Sequence, residues 1–232
     1  MGQIYRRGLN ICTIWSLRAA AAIGVLVWTS ASTVAQMPGR CELPVSERRS
    51  IIGCFILDNQ QRGPLPDRQL FWHLYVFPSR AAASAVVNGP QQTVVEEFGK
   101  VWLFSIAPQD WHPPTGERVA VVGPLPHSSR KGYTARYLVG TIPPGEHTPV
   151  HTHAGPEAWY LIAGAECLET PDGITVAHAG GSTVVSEGLP MMLSSVGTET
   201  RKAFALILHD SSQPWTMVMP KDGWKPRGLC PK

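Results

Sequence analysis

The chain is expected to be a mainly β protein: a barrel or jelly roll of short antiparallel strands, preceded by a smaller α+β or β-rich region. Two observations predict it. Its apolar and charged fractions, 44% and 16%, are those of a globular chain with a real core. Its second half is almost entirely apolar runs cut every eight to twelve residues by Gly or Pro, the punctuation of closely spaced strands and turns. No internal repeat or low-complexity tract is present.

Residues 1–35 form a separate unit. Arg6, Arg7 and Arg18 are followed by the apolar run "AAAAIGVLVW" and the small residues "TSASTVAQ", with Thr33 and Ala35 where a signal peptidase reads. A cleaved secretory signal is expected, with the mature chain starting near Gln36 in the periplasm or outside the cell. The alternative is an uncleaved membrane anchor, but the run is about ten residues, short of the roughly twenty that span a bilayer. Arg6-Arg7 is half of a twin-arginine signal. These three arginines account for the whole formal charge of +3, so the mature chain is neutral. It carries no basic footprint for nucleic acid and no feature for stable membrane insertion after cleavage. Cys41, Cys54, Cys167 and Cys230 remain, an even number that allows two disulfides in any of three pairings. No CxxC pair is present.

The region 36–130 reads as mixed. "LFWHLYVFP" is a nearly continuous apolar strand, and "SRAAASAVVNGP" a short helix capped by Ser79 and stopped at Asn88-Gly89-Pro90. "TVVEEFGKVWLFSIA" gives two strands about a Phe98-Gly99 turn, and "PPTGERVAVVGPLP" another hairpin arm. Trp72, Trp102 and Trp111 are expected in the core, and His73 as a buried histidine. The region 131–218 supplies the barrel: "YTARYLVGTIPP", "EAWYLIAGAECLET", the turn Pro171-Asp172-Gly173, "ITVAHAGGSTVVSEG", "PMMLSSVG" and "KAFALILHD". The tail 219–232 has no periodicity and needs Cys230 or Trp224 to hold it down.

Chemistry concentrates in "GEHTPVHTHAGPEAWYLIAG". His151 and His153 are two apart, so on a strand both point to one face. Glu157 follows after the turn-forming "AGP" and opens the next strand, which returns its carboxylate beside the two imidazoles. Two histidines and one carboxylate on one side of an ion leave its other side open, an arrangement suited to Fe(II) and related ions. A structural zinc site would be closed by four ligands. Trp159 and Leu161 share strand parity with Glu157 and should line the interior, whereas Ala158, Tyr160 and Ile162 face the other way.

Gly145, His151, His153, Glu157 and Gly164 reproduce without a gap the first motif of the cupin superfamily, G-x5-H-x-H-x3-E-x6-G. Chance would give this register in roughly one such chain in ten thousand. The chain therefore resembles a single-domain cupin over residues 131–218. The resemblance implies a double-stranded β-helix with a divalent metal in its mouth, commonly iron or manganese, with copper, zinc or nickel as alternatives. The second motif, G-x5-P-x-G-x2-H-x3-N, is half present: Gly180 and Gly188 fit, but Ser186 replaces the proline, Met191 the metal histidine and Ser195 the asparagine. His147 and His178 are candidates to compensate, or are loop residues in solvent.

Two functions follow. One is an exported metalloenzyme, dioxygenase-, isomerase- or decarboxylase-like, acting on a small organic acid or phenol at His151, His153 and Glu157. Met191, Trp159, Leu161 and His147 are its pocket candidates. The other is a periplasmic protein that holds a metal or small molecule without turnover. The partner is a small molecule in both, and a homodimer is left open. No hydrolase triad, phosphate loop or nucleotide fingerprint occurs.

Overall fold

The computed structural model describes residues 41–231. The expected signal segment, its cleavage site and Cys12 lie outside them. After a single 3-10 turn at Val45–Glu47 come β1 (Gly53–Pro64), β2 (Phe71–Phe77), α1 (Arg80–Ala85), β3 (Gln92–Glu97), β4 (Lys100–Ala107) and β5 (Glu117–Val122). The second half holds β6 (Gly132–Ile142), β7 (His151–His153), β8 (Glu157–Ala163), β9 (Ala165–Thr170), β10 (Gly173–His178), β11 (Ser182–Val185), β12 (Met192–Val196), β13 (Arg201–Asp210) and β14 (Thr216–Val218).

The apolar runs of β6, β8 and β13 have a simple cause: these strands are covered on both faces. They belong to a five-stranded sheet in the order β1-β6-β13-β8-β11. One face, with Tyr137, Val139, Tyr160, Phe204 and Leu206, packs on the four-stranded sheet β3-β4-β2-β5 through Trp72, Trp102 and Phe104. The aromatics meet edge-on, Trp102 to Phe204 at 5.0 Å and Phe104 to Phe204 at 5.1 Å. Such pairs add about 0.5–1.5 kcal/mol each beyond the burial of their area. The opposite face, with Leu138, Trp159, Leu161, Ala203, Ala205 and Ile207, packs on Leu168 and Leu193 of the sheet β10-β9-β12 and encloses the barrel interior. A strand buried on one side alternates apolar and polar residues; one buried on both has no reason to.

The chain passes repeatedly between the two sheets of the barrel, which makes it a double-stranded β-helix. This splits two expected strands. "EAWYLIAGAECLET" breaks at Gly164 into β8 and β9, and "ITVAHAGGSTVVSEG" breaks at Ala179-Gly180-Gly181 into β10 and β11, each piece joining a different sheet. The strand β7 closes the circuit, pairing with β14 on one side and exchanging backbone hydrogen bonds between His151 and Met191 on the other.

Two strands carry no expectation from the sequence. In β1, the consecutive polar residues Asp58, Asn59, Gln60 and Gln61 give no apolar alternation, yet the segment pairs with β6 from Gly53↔Thr141 to Pro64↔Gly132. It lies at the sheet's edge, where polar side chains find water. The division of the sequence near residue 130 is therefore crossed by a strand of the first half that completes the barrel sheet. The other is β14, only three residues long. In the first half, Ser79 caps α1 by accepting from the Ala82 N–H, and β3 and β4 turn at Phe98-Gly99, both with positive φ. Trp72 and Trp102 are buried, and His73 is buried with its Nε2 against the Pro108 carbonyl. The cysteines pair as Cys41–Cys54 and Cys167–Cys230. The second bond holds the tail, with the Glu169 carboxylate accepting from the Arg227 and Leu229 N–H groups.

Candidate metal centre

His151 and His153 project from β7 into the barrel with ring centroids 4.9 Å apart. The turn carrying Glu157 back to them is pressed onto β13: Ala154 and Pro156 accept hydrogen bonds from the Asp210 and Leu208 N–H groups. Only glycine fits between, since a Cβ on Gly155 would lie 2.0 Å from the Leu208 carbonyl oxygen. Glu157 is then fixed by both neighbours of β8, opposite Ile207 and Val185.

The three side chains place one ligand atom each within 4.8 Å of one another. Each imidazole is oriented by its far nitrogen: His151 Nδ1 is 2.8 Å from the Pro149 carbonyl, and His153 Nδ1 is 2.7 Å from that of Trp215. A carbonyl only accepts, so each Nδ1 carries the hydrogen and each Nε2 turns a lone pair inward. His153 Nε2 approaches Glu157 Oε2 to 2.9 Å. Yet both atoms are buried with no hydrogen bond, so they converge on a common point rather than aim at each other. Neighbouring donors around an ion with bonds of about 2.1 Å stand about 3 Å apart, the spacing of this pair. The donor set therefore fits a divalent cation.

Electrostatics separate the two imidazoles. Burial, reinforced by neighbouring His153, holds the pKa of His151 below its ordinary value. Burial also pulls on His153, but the Glu157 charge and contact, with the Trp215 carbonyl, outweigh it and raise the pKa.

A pocket opens beside the triad, walled by Leu138, Ile142, Trp159, Leu193 and Ala205, and by the disulfide Cys41–Cys54. Trp159 lines it as expected from strand parity. Leu161 is fully buried in the same cluster and does not line it. Ala158, Tyr160 and Ile162 face the aromatic core instead. Met191 is 1% exposed in the barrel core and bonds to His151 through its backbone, without lining the pocket. His147 is exposed, its Nδ1 against the Thr148 carbonyl, and His178 is exposed at the end of β10; neither joins the triad.

Sequence reasoning missed Trp215. Its indole stacks on His153 at 5.7 Å with an interplanar angle of 18°, and the Arg136 guanidinium lies 4.7 Å from its ring. It also missed Arg201, which is 3% exposed and lines the pocket from β13. A tryptophan just past a strand and an arginine at the start of one carry no motif; register alone reveals them.

No protein-family model matches the chain, and no curated protein matches it. Among solved structures, it is similar to a cupin-2 domain containing protein from Shewanella frigidimarina NCIMB 400, at 16% identity over 31% of this chain and 68% of that one, TM-score 0.28. It is similar to a conserved protein with a double-stranded beta-helix domain from Klebsiella pneumoniae subsp. pneumoniae MGH 78578, at 19% identity over 38% and 76%, TM-score 0.34. A third is the DMSP lyase DddQ from Ruegeria pomeroyi DSS-3, at 16% identity over 39% and 45%, TM-score 0.35. The chain spans less than half the length of that lyase. The fold described above stands on its own strand order, and the chemistry of the site on its own atoms.

Proposed function

We propose that this chain, a cupin by its barrel and its intact first motif, is an exported metalloenzyme that binds one divalent ion at His151, His153 and Glu157 and presents it to a small organic acid or phenol. The observation that carries the reading is the convergence of His153 Nε2 and Glu157 Oε2, buried, 2.9 Å apart and outside hydrogen-bond geometry, beside a His151 oriented by a backbone carbonyl. A buried polar atom without a well-aligned hydrogen bond costs up to about 1–3 kcal/mol, and an ion bound between the two would offset that cost. Iron or manganese suits two imidazoles and a carboxylate; copper, zinc and nickel are the other candidates. Export rests on the leader and on two disulfides, which persist in oxidising compartments.

The bound ion would supply Lewis acidity and open positions for a substrate oxygen. The chain's own residues do the rest. The carbonyls of Pro149 and Trp215 hold both imidazoles in the ligating tautomer. Trp215 fixes the plane of the His153 ring by stacking on it. The walls leave a substrate's body mainly apolar surface to contact, with Thr148 and Thr216 among them. A non-catalytic holder of metal or small molecule is favoured by one observation: apart from the triad and Arg201, no charged or histidine side chain among the described residues lines the pocket.

The test is metal retention after anaerobic loading with Fe(II) or Mn(II), measured by elemental analysis on wild type and His153→Ala. Wild type should keep about one ion per chain. The variant should lose more than the ten- to hundredfold in affinity typical of changes around the ligands. Equal metal in the two proteins would remove the proposal, and metal without oxygen uptake or substrate loss across carboxylates and phenols would leave only the holder.

A further inference from the structure

At the far end of the pocket from the triad, Arg201 and Glu166 form a buried ion pair, 3% and 1% exposed. One carboxylate oxygen, Oε2, takes both contacts, 2.6 Å from Nε and 2.5 Å from Nη2. The other, Oε1, is buried without a partner, and Nη1 makes no hydrogen bond to any described residue. A buried pair offsets its desolvation only when its remaining protons and lone pairs are satisfied. This one leaves Oε1 without a partner, and its one side-chain hydrogen bond among the described residues is made through Nε.

The surroundings keep that half of the guanidinium open. Arg201, Ala203 and Ala205 alternate onto the interior face of β13, and Ala205 pairs with Trp159, so one alanine, Ala203, separates the arginine from the level of Trp159. Across the strand pair, Gly140 stands opposite Ala203, and a Cβ there would meet Nη1 at 3.1 Å. A glycine in mid-strand sacrifices β propensity. Here it gives the guanidinium room, and Arg201 and Gly140 both line the same pocket as His153 and Glu157.

We propose that Arg201, held by Glu166, binds the carboxylate of an elongated substrate whose other end reaches the triad. The inference rests on the metal-site reading for that second end. Register gives the length. Leu161 pairs with Ala203, the level of the guanidinium, and lies four residues beyond Glu157 on β8, about 13 Å along an extended strand. Subtracting a coordinate bond of about 2 Å and a hydrogen bond of about 3 Å leaves about 8 Å between the ligating oxygen and the carboxylate. Trp159 and Trp215 line the space between, favouring a flat, unsaturated body. The class is a hydroxyaryl acid with a two- or three-carbon acidic side chain. Burial raises the pKa of Glu166 against the opposing pull of Arg201.

The probe is 4-hydroxycinnamate against its methyl ester, titrated anaerobically by calorimetry into Zn(II)-loaded protein, and again after chelation. The acid should bind at least tenfold more tightly than the ester, because a charge-assisted hydrogen bond contributes that much or more. In the double variant Arg201→Met with Glu166→Gln, which leaves no orphaned charge, acid and ester should bind alike. Acid and ester within twofold in the wild type would overturn the subsite, and that comparison stands even if the variant does not fold. An acid preference that survives chelation unchanged, in a protein that never held metal, would sink the metal reading and keep the subsite.

Discussion

Gly155 is where the fold and the candidate centre meet, and Gly155→Ala should damage both. The added Cβ would sit 2.0 Å from the Leu208 carbonyl oxygen and 2.8 Å from the His209 Cα. Carbon and oxygen in contact stand roughly 3.2–3.5 Å apart, so the turn must move away from β13 by about 1.2–1.5 Å. Overpacking of this kind costs about 1–3 kcal/mol. The turn's two hydrogen bonds to β13, Leu208 N to Pro156 O at 2.9 Å and Asp210 N to Ala154 O at 2.8 Å, then stretch. Each contributes about 1 kcal/mol. The sum is about 3–5 kcal/mol, or roughly 6–20 °C in Tm for a chain of this length. Gly89→Ala is the control, since nothing lies within 4 Å of a Cβ at Gly89. Thermal melts by circular dichroism read the stability, and elemental analysis of the same samples reads metal retention. His153 and Glu157 flank the displaced turn, so retained metal should fall with Tm. If Gly155→Ala melts within 2 °C of the control and keeps its metal, the turn is not what registers the two strands.

Met191→Leu should retain metal and an unchanged metal spectrum, because Met191 is buried core behind His151; loss of either would make the sulfur a ligand. In metal-free protein, NMR titration should place His151 below the ordinary imidazole value of 6.5 and His153 above it. The sign for His153 is that of a raised base: its contribution to stability is full below pH 6.5 and fades as pH rises through the higher folded pKa. Glu157→Gln should lower the His153 pKa, and an unmoved value would show that Glu157 is not the source of the shift.

The triad was legible because it is local. Residues 151–157 lie on consecutive strands, and period-two geometry alone brings His151, His153 and Glu157 together. Parity likewise placed Trp159 inside and Tyr160 outside. What the sequence hid depends on register between distant segments. Trp215 meets His153 because Thr216 pairs with it across β14 and β7, a separation of 63 residues. Gly140 faces Ala203 through the β6–β13 ladder for the same reason. The strand β1 was hidden by its edge position, where polar residues serve as well as apolar ones. His147 and Met191 were drawn toward the site by closeness in sequence and by the family's motif, but a side chain in the "EHT" loop faces solvent and the Met191 position packs into the core.

The aromatic side of the central sheet bears on the site as well. In an isolated barrel, β6, β8 and β13 would expose Tyr137, Tyr160 and Phe204 to water; here the sheet β3-β4-β2-β5 covers them. Fully burying each such side chain contributes about 1.5–3 kcal/mol, so the first half stabilises the strands that hold Glu157 and Arg201. The same strands present opposite parities to the two compartments: Phe204 and Leu206 pack on the aromatics, while Ala203 and Ala205 line the pocket and Ile207 packs in the barrel core beside it. A one-residue slip of β13 would drive phenylalanine and leucine into the pocket and expel Arg201 from it. Aromatic packing on one face thus fixes the register that sets the distance between the triad and the guanidinium on the other.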